Sequence, residues 1–226
     1  MEAENTLEHD AKRAVSYSVG EEIANAVTHG IGAALAIAAL TALVIFAALY
    51  GDGFHLASSI VYGLSMTLLY TSSTLYHALP NPRAKHVFKI FDHSSIYLLI
   101  AGSYTPFTLV TLRNAGGWWI FGLVWGIALA GVAAEAFWLY RPKAVTAIGY
   151  IAMGWIIMLK IKPLLANLDA TGVWLLVGGG VAYTGGTAFY VLKKVRYMHA
   201  VWHLFVLAGS VLHFLAVMLY VLPSGR

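Results

Sequence analysis

The sequence contains no cysteine, and only 11% of its 226 residues are charged. The absence of cysteine excludes disulfides, thiolate metal ligands and cysteine nucleophiles, so a metal site must use His, Asp or Glu. A soluble domain has about a quarter of its residues charged, whereas this chain is 60% hydrophobic with a mean hydropathy of +0.74. These values are typical of an integral membrane protein.

The first 20 residues are polar and carry charges of both signs. No basic stretch leads into a short apolar run with a cleavage site, so the sequence predicts no signal peptide. We expect residues 1–20 to form a polar cytoplasmic segment and residues 21–226 to form one transmembrane domain. The net charge of +4 is attributed to cytoplasmic loops, and we expect no nucleic-acid partner.

Seven apolar stretches are long enough to cross a bilayer of about 30 Å, which takes roughly 20 residues. They cover residues 25–50, 54–77, 87–112, 117–140, 145–165, 173–192 and 199–222. The fifth is the least distinct, because Lys160 and Lys162 lie near its end. The sequence predicts an all-α membrane protein with a seven-transmembrane helix bundle.

The orientation of the bundle follows from the distribution of Lys and Arg between alternate loops. With the N-terminus inside, four of the 14 basic residues are outside, namely Arg113, Lys160, Lys162 and Arg226. The remaining ten are Lys12, Arg13, Arg83, Lys85, Lys89, Arg141, Lys143, Lys193, Lys194 and Arg196. This bias predicts a cytoplasmic N-terminus and an outside C-terminus, unless the fifth stretch is re-entrant.

Polar residues of three stretches converge at one depth. His199 and His203 begin the last stretch one helical turn apart, on a face from which two imidazoles can bind one metal ion. His77 ends the second stretch, and Ser73 lies one turn deeper on the same face. Asp92 lies near the start of the third stretch, about as far from the intervening loop as His77. We expect all five residues in the cytoplasmic third of the membrane.

Three neutral histidine nitrogens and one water would form a tetrahedral Zn²⁺ site with an open position. Such a site makes hydroxide available at about neutral pH. Asp92 would hold the water or take its proton, and Ser73 would support the site or donate to a developing oxyanion. The alternative for each histidine taken alone is a solvated interfacial side chain.

Five further polar residues are candidates for the lining of a cavity: Glu22, Asn25, His29, Ser210 and His213. Asn25 and His29 share one helix face, and their alternative role is helix capping and interfacial solvation. Ser210 and His213 continue the face of the last stretch toward mid-membrane, where they line a polar cavity or bond to neighbouring helices.

Two other polar residues invite different interpretations. Glu135 is an intramembrane carboxylate, which favours a functional role, although snorkelling of its side chain toward water is an alternative. His93 follows Asp92 but points roughly 100° away around the helix. We therefore expect His93 to make a structural contact and not to bind the metal.

The assembled pattern of Ser73-x3-His77, Asp92 and His199-x3-His203 resembles the haemolysin III family. This family is the bacterial branch of the progestin and adipoQ receptor (PAQR) group, which belongs to the CREST set of membrane hydrolases with the alkaline ceramidases. The resemblance extends from about residue 21 to the end of the chain. Its motifs are EEIAN at 21–25, THG at 28–30, STLYH at 73–77, FDHSS at 91–95, IAGSYTP at 100–106 and HAVWH at 199–203.

The resemblance implies seven helices, a cytoplasmic N-terminus and Zn²⁺ bound by His77, His199 and His203. It also implies that Asp92 contacts the metal through water, with Ser73 beside it. Eukaryotic relatives are linked to ceramidase activity, whereas the bacterial branch is named for a haemolytic, pore-like phenotype. We expect a zinc-dependent hydrolase that cleaves an amide or ester of a membrane lipid at the cytoplasmic leaflet of a bacterial inner membrane. The alternatives are a membrane-permeabilising protein and a sensor of membrane homeostasis, each with structural zinc.

Overall fold

The computed structural model describes residues 17–138, 142–192 and 195–225, and every regular element within them is helical. The α-helices are α1 (Val19–Tyr50), α2 (Gly53–Ala78), α3 (Pro82–Pro106), α4 (Gly117–Phe137), α5 (Lys143–Gly154), α6 (Ile161–Asn167), α7 (Ala170–Val191) and α8 (Met198–Ala216). A 3₁₀ turn (Ile156–Lys160) joins α5 to α6. Turns of π-helix follow α3 and α8, at Phe107–Thr111 and Val217–Val221.

The described chain forms seven helical segments, because α5, the 3₁₀ turn and α6 make up one broken segment. Four segments are long and apolar enough to cross a membrane: Val19–Tyr50, Gly117–Phe137, Ala144–Asn167 and Met198–Ser224. The other three, α2, α3 and α7, are of similar length but contain more serine, threonine, tyrosine, glycine or charge. The all-helical prediction is confirmed, while the count of seven spans stays a prediction.

Helix α1 begins six residues before the predicted apolar stretch, because a capping box sets its start. The Ser18 hydroxyl accepts a hydrogen bond from the Glu21 backbone N–H at 3.4 Å, and the Glu21 carboxylate accepts one from the Ser18 N–H at 2.9 Å. This reciprocal pair satisfies backbone donors that a helix start leaves without partners. The predicted boundary at residue 20 falls in the first turn of α1, and residues 1–16 lie outside the described residues.

The two faces of α1 differ in chemistry. Large apolar side chains recur every four residues on an exposed face: Ile23, Val27, Ile31 and Leu35. Asn25 and His29 are buried on another face, followed by Gly32 and Ala36. An apolar stripe at this spacing is suited to contact with lipid, so the polar residues of α1 point into the protein.

The most extensive helix pairings are those between α1 and α2, α2 and α3, and α7 and α8. Helix α8 also packs against α1, which brings the two ends of the chain together. The Glu22 carboxylate accepts hydrogen bonds from His77 and Lys85, and the Tyr197 backbone N–H donates to Glu21. These contacts join the starts of α1, α3 and α8 to the end of α2, and we call this part of the bundle the histidine end.

The opposite end of the bundle is fixed by a charged contact. Asp52 caps α2, and its carboxylate accepts two hydrogen bonds from the Arg113 guanidinium, at 2.8 and 3.2 Å. The Arg113 guanidinium holds the pKa of Asp52 well below its usual range. This bidentate pair connects the α1–α2 loop to the residues that follow α3.

A tyrosine of α3 stabilises the break within the fifth predicted span. The Tyr104 hydroxyl accepts a hydrogen bond from the Ile157 backbone N–H at 2.9 Å and donates to the Gly154 carbonyl at 2.6 Å. The Trp155 indole also donates to Thr184 at 3.0 Å. Backbone groups released by the break between α5 and α6 thus find partners inside the protein, as they must in a membrane.

Glycines of α4 provide a test of the packing between α3 and α4. A Cβ at Gly131 would lie 2.5 Å from ring carbons of Tyr97, whereas a Cβ at Gly126 would have no atom outside its own helix within 4 Å. We expect Gly131→Ala to destabilise the protein by about 1–3 kcal/mol through overpacking. Gly126→Ala should be neutral or should stabilise it by up to about 1 kcal/mol through helix propensity. Unfolding in detergent micelles measures both, and equal stabilities of the two variants would contradict this packing.

Candidate metal centre

The structure brings His77, His199 and His203 together at the histidine end. One ring nitrogen from each lies within 4.8 Å of the others, so that the group could hold a metal ion. His77 and His203 are buried, with 3% and 0% of their surface exposed, and His199 is half-buried. The four-residue spacing in α8 aligns His199 with His203, and the last turn of α2 supplies His77.

Helix α1 determines which nitrogen of His203 is available for a metal. The Thr28 hydroxyl lies 3.1 Å from His203 Nδ1 and 2.9 Å from the backbone carbonyls of Ala24 and Asn25. Because the single hydroxyl hydrogen is donated to a carbonyl, Thr28 Oγ1 acts as the acceptor from His203 Nδ1–H. The proton on Nδ1 leaves a lone pair on His203 Nε2, a buried atom with no hydrogen-bond partner.

His77 is oriented in the same way by a carboxylate. Glu22 accepts a hydrogen bond from His77 Nδ1–H at 2.6 Å through one oxygen and a hydrogen bond from Lys85 through the other. His77 Nε2 is consequently the lone-pair nitrogen, and it too is buried without a hydrogen-bond partner. A carboxylate on the far nitrogen of a ligating histidine is a recurrent arrangement around metals, because it fixes the ring and increases its basicity.

Asn25 and His29 complete the polar face of α1. The Asn25 side-chain nitrogen lies 3.4 Å from His77 Nδ1. The His29 ring stacks on the His203 ring with centroids 3.4 Å apart and planes at 13°. Both residues are buried, so the alternative of interfacial solvation does not describe them.

The predicted catalytic residues lie in the same region but outside the three-histidine group. Asp92 is buried with 4% of its surface exposed, and it lines a cavity together with His29. Ser73 is fully buried one turn before His77, and its hydroxyl has no hydrogen-bond partner. The structure therefore places Asp92 at a cavity wall and Ser73 on the metal-facing side of α2.

A cavity of about 90 Å³ extends from this region between α3, α5, α7 and α8. Its wall contains His29, Asp92 and Trp202 near the histidine end and Trp155 at the break after α5. Most of the other lining side chains are aliphatic or aromatic. A smaller cavity of about 40 Å³ adjoins it at Trp155 and continues along the 3₁₀ turn to α6.

Ser210 and His213 bond to neighbouring helices, which is one of the two roles considered for them. The Ser210 hydroxyl contacts the hydroxyls of Tyr70 and Tyr183, at 2.7 and 2.8 Å, and lines a separate groove between α1, α2 and α8. His213 Nε2 lies 3.0 Å from the Leu176 carbonyl, and the ring lines the interior cavity. Both residues therefore contact neighbouring helices, and His213 also lines the cavity whose wall includes Asp92.

Glu135 is buried, with 1% of its surface exposed, so the snorkelling alternative is wrong. Its carboxylate lies 3.5 Å from His93 Nδ1. The predicted structural role of His93 agrees with this contact, and His93 does not belong to the group of three histidines that could hold a metal ion. The adjacent side chains of Asp92 and His93 thus lie in different surroundings, Asp92 at the cavity and His93 against helix α4.

Sequence reasoning missed three residues at this site. Tyr17 precedes α1 and stacks on His199, with ring centroids 5.2 Å apart, and burial raises the pKa of its hydroxyl. Thr28 contacts His203, and Lys85 contacts Glu22, the partner of His77. The spacing Asn25-x2-Thr28 is a signal for Thr28, since residues three apart share a helix face. Lys85 and Tyr17 are brought in by tertiary packing.

The chain is similar in sequence to known proteins. The family model for haemolysin-III related proteins matches residues 17–214. The chain is 48% identical over 207 residues to Hemolysin-3 of Bacillus cereus, covering 92% of this chain and 94% of the relative. It is 45% identical over 204 residues to the Hemolysin-3 homolog of Bacillus subtilis (strain 168), covering 90% and 96%. It is 28% identical over 216 residues to the human Monocyte to macrophage differentiation factor, covering 90% and 86%.

The contact between Glu22 and His77 predicts a measurable effect on metal affinity. Glu22→Gln removes the charge that increases the basicity of His77, so we expect binding of Zn²⁺ to weaken about 10- to 100-fold. Competition with a chromophoric chelator measures the affinity. Glu21→Gln is the matched control, because the Glu21 carboxylate bonds to Ser18 and Tyr197 and to none of the histidines. The same affinity in both variants would contradict the assigned role of Glu22.

Proposed function

The chain belongs to the haemolysin-III related family of integral membrane proteins, and from its histidine cluster we propose that it is a zinc-dependent hydrolase of a lipid amide or ester. The observation that carries this proposal is the pair of buried nitrogens, His77 Nε2 and His203 Nε2, each without a hydrogen-bond partner. Their rings are held by acceptors on Nδ1. Such groups are costly inside a membrane unless they have a ligand.

The donor set supports zinc in particular. Three imidazoles with no cysteine available match the three-histidine sites of catalytic zinc, in which the fourth position is left to water or substrate. Structural zinc sites have four protein ligands as a rule. Asp92 lies outside the group of mutually close ligand atoms, which favours an open fourth position over a closed structural site.

The chemistry of the cavity wall supports a lipid as the substrate. The interior cavity begins near His29 and Asp92 and continues past aliphatic and aromatic side chains to Trp155. A lipid has a polar head and an apolar chain, so it matches a wall that is polar near the histidine end and apolar beyond it. A lipid bound in that direction would place its scissile amide or ester at the histidine end.

The residues of this chain take distinct roles in the proposed reaction. A bound zinc ion would supply a Lewis acid and an activated water at neutral pH. Asp92 would take the proton of the attacking water on its carboxylate and return it to the leaving group. The Ser73 hydroxyl, which has no hydrogen-bond partner, would donate to the developing oxyanion. Glu22 and Thr28 would hold His77 and His203 in place.

Metal content and lipid turnover together test this function. Zinc-loaded protein in vesicles should contain about one zinc per chain, as three histidines imply, and should release fatty acid from a panel of lipid amides and esters. Asp92→Asn should keep the zinc and lose about 10²- to 10⁴-fold in turnover, the range of general acid–base catalysis. His199→Ala/His203→Ala should lose both.

Asp169→Asn is the control for removal of a carboxylate, because Asp169 caps α7 and bonds there to the Thr171 N–H. Full zinc content in the double histidine variant would overturn the metal site. Zinc-loaded protein that cleaves no lipid of the panel would overturn the hydrolase. If the same vesicles leaked their contents, the membrane-permeabilising alternative suggested by the name of the Hemolysin-3 relatives would replace it.

We also propose that the histidine end faces the cytoplasm. Among the described residues, the histidine end carries Arg83, Lys85, Lys89, Lys143 and Arg196, whereas the opposite end carries fewer basic residues, Arg113, Lys160 and Lys162, beside the acidic residues Asp52 and Asp169. Basic residues are enriched on the cytoplasmic side of membrane proteins. With seven spans, the C-terminus would then be outside.

The absence of native cysteine allows a direct test of this orientation. Pro80 and Asn114 are exposed residues before and after α3. In intact cells, a membrane-impermeant maleimide should label Asn114→Cys, because that position would be outside. It should label Pro80→Cys only after the membrane is permeabilised. The reverse pattern would invert the topology, and labelling of both positions on one side would mean that α3 does not cross the membrane.

A further inference from the structure

His29 is a buried histidine with no assigned role in metal binding. It is 2% exposed, and neither of its ring nitrogens has a hydrogen-bond partner. Buried polar atoms are almost always hydrogen-bonded, and a donor or acceptor without a partner reduces stability. Two such atoms on one side chain indicate a partner that is not part of the protein.

Stacking holds the His29 ring in place without using its nitrogens. One face stacks on His203 at 3.4 Å between centroids, and Tyr70 makes an edge contact at 5.0 Å. His29 does not belong to the group of mutually close metal-binding nitrogens, which consists of His77, His199 and His203. Its position is therefore defined by packing, and its hydrogen-bonding capacity is left for another molecule.

His29 lines the interior cavity, so a molecule in that cavity would lie against the His29 side chain. Several polar side chains of its wall already have protein partners, for example Thr184 and Tyr104. Ser103 donates to the Ile100 carbonyl, and His213 Nε2 contacts the Leu176 carbonyl. Of the lining residues, His29 alone has two buried ring nitrogens without a hydrogen-bond partner, and it lies next to a metal-binding histidine.

We propose that His29 is a positioning residue that hydrogen-bonds the polar head of a lipid in this cavity. An imidazole offers one donor and one acceptor, so it can bond to a hydroxyl, an amide or a carbonyl. The bond would fix how deeply the lipid enters and would bring its head beside the histidine cluster. The inference rests on the proposed function only in that the cavity holds a lipid. It does not require that the lipid is cleaved.

A pair of uncleavable probes tests this role. Purified zinc-loaded protein is equilibrated with equal amounts of cis-9-octadecen-1-ol and cis-9-octadecene, and the bound molecules are extracted and quantified by gas chromatography. The native protein should prefer the alcohol. His29→Phe keeps an aromatic ring for stacking but has no nitrogen, and it should lower the bound ratio of alcohol to hydrocarbon about fivefold, the value of one net hydrogen bond. His29→Gln restores a donor and an acceptor and should recover most of the ratio.

Ser103→Ala is the matched control, because Ser103 lines the same cavity but its hydroxyl donates to its own helix. This variant should keep the native ratio. Zinc content is measured in every variant and should not change. If His29→Phe does not fold, His29→Leu replaces it, and we expect the same decrease in the ratio of alcohol to hydrocarbon.

Three results would overturn the proposal. The first is an unchanged ratio of alcohol to hydrocarbon in His29→Phe, and the second is a lower ratio in His29→Phe that is accompanied by loss of zinc. The third is that the native protein binds neither probe. The second result would make His29 a support for the metal centre. Because neither probe contains a bond to hydrolyse, failure of the hydrolase proposal would leave the measured ratio intact. Failure of the His29 proposal would likewise leave turnover by Asp92 and the histidine cluster untouched.

Discussion

The hydrogen bonds that two histidines donate to α1 through their Nδ1–H groups are the constraint on which the rest of the site depends. A neutral imidazole has two tautomers, and the partner of one nitrogen decides whether the other can bind a metal. Thr28 fixes this choice for His203 and Glu22 fixes it for His77. Helix α1 contributes no ligand itself, yet without its polar face the two buried nitrogens would have no defined protonation state.

This constraint explains the arrangement of the helices around the site. Helix α1 must contact both α2 and α8, which carry the histidines, and the structure pairs it with both. The capping box at Ser18 sets the start of α1, and Glu22, Asn25 and Thr28 face the histidines of α2 and α8. The opposite face of α1 then carries the exposed apolar stripe that begins at Ile23. One helix thus combines a surface for lipid with a polar face, because the 3.6-residue period separates them.

Much of this architecture could be predicted from the sequence, for reasons that differ by residue. The spacing of His199 and His203 determines their common face in any helix, and the short loop after His77 determines its depth. Hydropathy located the helical segments, since a membrane requires long apolar stretches. The start of α1 was misjudged because hydropathy detects apolar residues, whereas Ser18 and Glu21 begin the helix through hydrogen bonds. The break after Gly154 depends on Tyr104, which is about 50 residues away in the chain, and such a tertiary contact leaves no local signal.

The position of the cluster at one end of the bundle, with a cavity leading from it, has a physical consequence for the proposed chemistry. Ions and water reach a site readily at the aqueous surface, whereas a lipid chain is stable only in apolar surroundings. Tyr17, which precedes α1, stacks on His199, and Trp202 of the next turn of α8 belongs to the cavity wall. A hydrolase of lipids needs both surroundings within a few ångströms of one metal ion. The polar face of α1 and the apolar walls of α3, α5 and α7 supply them from opposite directions, so that Asp92 and His29 lie where the two meet.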